Sequence, residues 1–283
     1  MTGIIDVGGG LRGVYGSGVL DRCMDEGIGF DALIGVSAGS ANVATFAAGQ
    51  RGRTYRFYRQ YTFRKEYMSF QNLLRGKHFL DLDYVYGGLS NEGMEDPFGF
   101  DTFFDYKGQV KIVATDARTG KPVYFDNSAF RRNDLTVLKV SSCLPFVCGS
   151  YQMNGITCLD GGIADPIPLK AAFDMGCDKV AVILTLPKTQ QKEQGIDALA
   201  ARLMQHKYPM AARAVAERYR TYNEALAFAL RMEAEGRALI IAPDNTCGMK
   251  TLTKDKEKTE ALYQKGYRDG EALIAFAGAS SGR

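Results

Sequence analysis

Ser37 lies in Gly35-Val36-Ser37-Ala38-Gly39, preceded by the apolar run 30–34 and followed by an Ala-rich segment. A strand, a sharp turn and a helix are what such a pattern specifies, with the serine at the turn. A nucleophile elbow of this kind holds its central residue in a strained, often positive-φ conformation and brings the helix close behind the strand. Gly35 and Gly39 leave the room that approach needs. The hydroxyl then sits near the N-terminus of the following helix, where free N–H groups and the helix dipole favour developing negative charge.

A serine hydroxyl is a poor nucleophile without a base in hydrogen-bond reach. The usual base is histidine, and the chain holds only His78 and His206. The order Ser37, Asp160, His206 is that of an α/β-hydrolase triad, but in that fold several strands precede the elbow and here it follows the second. His206 falls in the charged helical stretch 203–207 and His78 among polar loop residues, so both read as surface or packing residues. The remaining route is a carboxylate acting directly. Asp160 leaves a hairpin over 151–159 whose Asn154-Gly155 is a type I′ turn signal, and Gly161 and Gly162 let the backbone pass tightly beside another loop. Taken alone it reads equally as a base or as an ordinary Asp-Gly turn.

The third group is Gly8-Gly9-Gly10-Leu11-Arg12-Gly13, between a strand over 3–7 and a helical pattern over 14–26. It fits the dinucleotide fingerprint Gly-x-Gly-x-x-Gly. That fingerprint wants an acidic residue at the end of the second strand, yet here that strand ends in the serine elbow and Asp31 lies near its start. The loop reads better as an oxyanion hole, its N–H groups beside Ser37 because the first two strands are expected neighbours in the sheet.

The elements that must position these groups follow from periodicity and punctuation. Helices are expected over 37–48, 135–144 and 167–175, a hairpin of strands over 110–115 and 122–125 turning at Thr119-Gly120, and a buried strand over 179–184. Residues 196–236 read as one or two helices broken near Pro209, with Ala211, Val215, Tyr219, Tyr222, Leu226 and Leu230 along one stripe. A strand over 238–242 and one amphipathic helix over 254–276 close the chain. Residues 73–106, rich in Gly, Asp, Asn and aromatics, read as turns and short helices capping the site. In 50–70 basic residues interleave with Tyr and Phe; they could meet phosphate head groups or nucleic acid, but a surface helix with its aromatics packed inward is favoured.

The chain of 283 residues carries a formal charge of +3, too slight to imply nucleic acid or an acidic partner. No leader-like segment opens it and no stretch of about 18 apolar residues occurs, so a cytoplasmic protein is expected. The six cysteines, without zinc-site spacing, read as reduced thiols, and no metal or other cofactor is expected. Without repeats or linker-like tracts, one α/β domain over 1–283 is the economical reading.

Gly8 to Gly13, Gly35 to Gly39 and Asp160-Gly161-Gly162 occur in the order and approximate spacing of the patatin-like phospholipase family. Ser141-Ser142-Cys143-Leu144-Pro145-Phe146 and Ala164-Asp165-Pro166-Ile167-Pro168 match it too. The sequence resembles this family over about 4–184, and its last third, which holds no catalytic motif, is similar to that of bacterial members. The resemblance implies a three-layer α/β/α sandwich around a mostly parallel sheet, and hydrolysis of acyl esters by a Ser37–Asp160 dyad. It makes the loop of Gly8, Gly9, Gly10, Arg12 and Gly13 the oxyanion hole, with Gly35, Gly39, Gly161 and Gly162 supporting elbow and turn. Arg12, at the loop's basic position, either orients the loop, adds positive potential near the oxyanion, or stabilises the loop through an ion pair. An exposed aspartate, with a pKa of about 3.9, is a feeble base, so Asp160 is expected to be partly desolvated. The implied substrate is a phospholipid or lysophospholipid, with no metal, and transient contact with a membrane surface is compatible with it. The alternatives are a soluble carboxylesterase or acyltransferase with the same dyad, and a non-catalytic lipid- or partner-binding scaffold.

Overall fold

A computed structural model describes residues 1–195 and 197–278. Ile196, the first residue of the expected 196–236 helical segment, lies outside the described residues, as do residues 279–283. Eight strands form one sheet: β1 (Thr2–Asp6), β2 (Ala32–Val36), β3 (Gln109–Asp116), β4 (Pro122–Asp126), β5 (Tyr151–Met153), β6 (Ile156–Asp160), β7 (Lys179–Ile183) and β8 (Ala238–Ile241). Their order is β5-β6-β3-β2-β1-β7-β8, with β4 also on β3. The pairs from β3 through β2, β1 and β7 to β8 are parallel, and those among β3, β4, β5 and β6 are antiparallel.

The central strands are apolar throughout because both faces are covered. Ile4, Leu33, Ile112 and Ala181 point to one face, and their neighbours Ile5, Ile34, Val113 and Val182 to the other. Helices α1 (Val14–Asp25), α2 (Ala38–Ala47) and α3 (Arg53–Arg59) pack on the first face. Two short helices, α4 (Phe70–Leu74) and α5 (Phe100–Asp105), precede β3, and α6 (Thr136–Ser142) returns to that same face. On the second face lie α7 (Leu169–Asp174) and, after α8 (Asp197–Met204), the long α9 (Pro209–Ala234). α10 (Lys256–Asp269) then docks on α1, where Tyr263 Oη donates to Asp21 Oδ2 at 2.8 Å and Tyr15 Oη to Asp269 Oδ2 at 2.7 Å. α11 (Ala272–Gly278) ends the described chain. The architecture is a three-layer α/β/α sandwich. Among the described residues no helix is long and apolar enough to cross a membrane.

Three expectations need correction. In 50–70, α3 is followed by a 3-10 turn at Tyr61–Phe63, because the aromatic spacing does not keep to one helical face. Bending the chain buries Tyr58, Tyr61 and Tyr67 together. In 254–276 there are two helices, parted at Gly270. On α9, Leu230 is 37 % exposed while Ala229 and Met232 are buried, since steps of four outrun a 3.6-residue period.

The register at β3 bears on the site. Val113 pairs with Val36 of β2 and Tyr124 of β4; Ala114 pairs with Val123 of β4 and Asp160 of β6. A strand has two edges, so β2 and β6 occupy the same one. β2 runs parallel to β3 and β6 antiparallel, and their C-terminal ends therefore meet head-on at Val113 and Ala114. Ser37 and Gly161 leave the sheet at that junction.

Close packing behind the elbow makes Gly35 sensitive to one methyl group. A Cβ there would lie 2.4 Å from Ser40 Cα, whereas at Gly29 it would meet nothing within 4 Å. Gly35→Ala is expected to lower the unfolding free energy by about 2 kcal/mol or more, and Gly29→Ala to change it by under about 0.5 kcal/mol, in urea melts of both variants.

Candidate active site

Ser37 has φ 55° and ψ −129°, a conformation that non-glycine residues adopt at a cost of about 1–3 kcal/mol. The surrounding bonds hold it there. Its N–H donates to Ser141 Oγ at 2.9 Å, and that hydroxyl donates to Val113 O at 2.6 Å. Its carbonyl accepts from Ser40 N at 2.9 Å and Ser40 Oγ at 2.6 Å. α2 begins at the next residue and runs close behind the strands: a Cβ on Gly39 would lie 2.1 Å from Asp6 O.

Asp160 ends β6 at 1 % exposure. Its N–H donates to Cys143 O at 3.0 Å, and its carbonyl accepts from Thr115 Oγ1 at 2.8 Å. Oδ1 accepts from Gly162 N at 2.9 Å, and Oδ2 has no hydrogen-bond partner among the described residues. Burial raises the carboxyl pKa above the ordinary value; Arg218, the nearby Ser37 hydroxyl, Gly162 N–H and Lys192 pull the other way. The Ser37 hydroxyl is thus near enough to favour the charged carboxylate. Gly161 lies against β3, where a Cβ would come within 2.2 Å of Val113 O.

The glycine loop crosses the same region. Gly8 N donates to Asp6 Oδ1 at 2.8 Å, Gly8 O accepts from Thr185 Oγ1 at 2.5 Å, and Leu11 N donates to Thr251 O at 2.8 Å. Between these anchors the N–H groups of Gly9 and Gly10 donate to no acceptor among the described residues, and both glycines line the cavity that holds Ser37 and Asp160. Gly8 has spent its donor, and Gly13 is packed under the Tyr58 hydroxyl outside the cavity. Two of the five loop residues therefore offer free backbone donors. Arg12 turns its guanidinium to the cavity, donating from Nη1 to Thr251 Oγ1 at 3.1 Å, and forms no ion pair among the described residues.

Asp6 escaped the sequence reading. Its carboxylate, fully buried, accepts from Gly8 N–H and from Asn42 Nδ2 at 2.8 Å. It ties the first turn of the glycine loop to α2. Burial pushes its pKa up to about 6 against those two bonds. The available signal was a charge closing an otherwise apolar strand just before the glycines.

Two cavities meet at Ser37. One is apolar, lined by Leu11, Ala41, Phe57, Tyr58, Tyr61, Tyr67 and the cap residues Leu80, Leu82, Val85, Tyr86 and Leu89. The capping role expected of 73–106 matches this, although Tyr84–Leu89 forms a π-helical turn that periodicity did not suggest. The other cavity is polar, with the glycine loop, Asp160, Gly162, Arg12, Lys192, Asp197, Arg218 and Tyr222. Neither His78 nor His206 lines either one.

A family model described as patatin-like phospholipase matches residues 7–173, and one described as a domain of unknown function (DUF6363) matches 208–276. The uncharacterized protein YjjU of Escherichia coli is 33% identical over 185 residues, 64% of this chain and 50% of that protein. An uncharacterized NTE family protein of Mycobacterium tuberculosis is 24% identical over 60% of this chain and 45% of its own. A protein of Aspergillus terreus named lysophospholipase nte1 is 22% identical over 64% of this chain and 12% of its own. The chain thus spans about half or less of the length of these relatives. Among solved structures, VipD of Legionella pneumophila aligns over 98% of this chain and 67% of its own, with 11% identity and a TM-score of 0.47.

A buried aspartate with a raised pKa binds a proton more readily folded than unfolded, so its contribution to stability is full below about pH 4 and lost as pH rises through about 6. At neutral pH the cost is on the order of 3 kcal/mol. Asp6→Asn removes this titration. The stability difference between variant and wild type is expected to move in the variant's favour by about that amount between pH 4 and pH 7, read from urea melts at each pH. A difference that stays flat would mean that Asp6 titrates as an exposed carboxylate does.

Proposed function

Because the chain belongs to the patatin-like phospholipase family, we propose that it is a serine acyl-ester hydrolase acting on lipid esters through Ser37 and Asp160. The observation that carries the reading is one cavity lined by a strained serine, a buried carboxyl and two glycines whose N–H groups have no acceptor among the described residues, with an apolar pocket that shares the same serine. Ser37 Oγ attacks the acyl carbonyl carbon while Asp160 takes the hydroxyl proton. The oxyanion draws on the N–H groups of Gly9 and Gly10, and Asp160 returns its proton to the departing alcohol. A water molecule, deprotonated by Asp160, then releases the acyl group from Ser37. The apolar pocket suits the acyl chain, since burying each methylene is worth about 0.8 kcal/mol.

Burial makes this aspartate a stronger base than an exposed one. The base acts ionised, so kcat/KM falls as pH drops through its pKa, and the acid limb is expected above the ordinary value of about 4. A pH profile with a soluble ester reads this directly. The first test of the function is the intact mass after a fluorophosphonate probe. One adduct is expected on the wild type and none on Ser37→Ala, with Asp160→Asn losing about a thousandfold or more in kcat. An unlabelled wild type that hydrolyses no ester would overturn the reading.

A further inference from the structure

The polar cavity beside Ser37 gathers three cationic side chains from three separated parts of the chain. Arg12 comes from the glycine loop, Lys192 from the segment between β7 and α8, and Arg218 from α9. None of the three is in an ion pair among the described residues, and the acidic groups lining the cavity are Asp160 and Asp197. Each is held in place by other means. Arg218 Nε donates to Gly162 O at 3.0 Å, and Arg12 is bonded to Thr251. Arg12 Nε is buried without a partner among the described residues. The Lys192 backbone is clamped by one side chain, its N–H donating to Asn223 Oδ1 at 2.8 Å and its carbonyl accepting from Asn223 Nδ2 at 2.9 Å. Its ammonium lies 3.9 Å from the centre of the Tyr222 ring.

Such a cluster repels itself. Burial together with Arg218 and Arg12 pushes the Lys192 pKa down to about 7, and burial lowers that of Arg12. An anion entering the cavity would relieve both, and charged donors bind phosphate oxygens more strongly than neutral ones. The two cavities share Gly10, Ser37, Leu144 and Thr251 in their walls, so an ester whose acyl chain fills the apolar pocket has the polar one open to its alcohol portion.

We infer that Arg12, Lys192 and Arg218 form a subsite for a phosphate group on the alcohol side of the scissile ester, so that chain beyond the phospholipase match supplies substrate recognition. This rests on the hydrolase reading and narrows its substrates to esters whose alcohol portion carries an anion. It also assigns a role to the segment matched only as a domain of unknown function, which contributes Arg218, Tyr222 and Thr251 to the cavity wall.

The test compares two soluble short-chain substrates with the same acyl group, a 1-acyl-glycerol and its 3-phosphate. The wild type is expected to favour the phosphate ester at least about tenfold in kcat/KM. Lys192→Gln should cut that ratio about fivefold or more, mainly through KM, and Lys192→Arg should keep it. Lys170→Gln, an exposed charge change paired with Asp174 on α7, serves as the control that alters neither. Calorimetric titration of glycerol 3-phosphate and of inorganic phosphate into Ser37→Ala reads the subsite without turnover. Binding of glycerol 3-phosphate lost in Ser37→Ala/Lys192→Gln supports the subsite even if no ester is hydrolysed, a result that would sink only the hydrolase reading. Equal kcat/KM for the two esters overturns the proposal, and so does phosphate binding that Lys192→Gln leaves unchanged. Tight binding of inorganic phosphate with no ester preference would show an anion site unconnected to the substrate, which also overturns it.

Discussion

Strand β3 offers one edge to two partners in succession. β2 takes it as far as Val113 and β6 from Ala114 onward, one parallel and one antiparallel, so their C-terminal ends abut. Two chain turns must then leave the sheet within one strand width. Both crowd onto Val113, whose carbonyl accepts from the Ser141 hydroxyl that anchors Ser37 and lies against Gly161 with no room for a side chain. The proximity of Ser37 to Asp160 is a consequence of this register. A shift of β6 by one residue would turn Asp160 to the opposite face of the sheet.

The same crowding accounts for the charges. Asp6 and Asp160 end buried strands, where water cannot solvate a carboxylate, and each accepts from the backbone N–H of the glycine two residues on. The compensation is incomplete, and both pKa values rise. A structural carboxylate gains nothing from that arrangement. A base that must accept a proton from an alcohol does, because a higher pKa lowers the cost of the transfer. Asp6 has a different use: it anchors Gly8, the first glycine of the loop, and holds Asn42 of α2.

Residues far along the chain close the site. Thr185 follows β7 and bonds Gly8; Thr251 precedes α10 and bonds Leu11 and Arg12; Arg218 on α9 bonds Gly162. α10 is pinned to α1 by reciprocal tyrosine–aspartate bonds, and a Cβ on its Gly266 would lie 2.0 Å from Tyr15 O. The helix that carries the glycine loop on its N-terminus is therefore braced by the last third of the chain. Loop geometry, cavity charge and C-terminal packing form one mechanical unit.

The strands and helices of one α/β domain, the turn at Ser37 and the hairpin ending in Asp160 were legible because each is local: apolar runs, a Gly-x-Ser-x-Gly turn and an Asn-Gly turn constrain the backbone within a few residues, whereas the three-layer sandwich came only with the family resemblance. Asn154 and Gly155 take the positive φ that the hairpin requires, at 51° and 77°. The order and spacing of three glycine-rich motifs were legible as well, and they pointed to the family. Contacts between distant residues were not. Nothing near Asp6 announces Gly8 and Asn42 as its partners, nothing in 186–195 announces that Lys192 faces Arg12, and the bends that gather Tyr58, Tyr61 and Tyr67 depend on what the rest of the core leaves open. Local sequence sets which turns the backbone can make. Which side chains then share a cavity, and how strongly burial shifts their protons, is decided by strand order, by the shared edge of β3 and by the helices that exclude water from it.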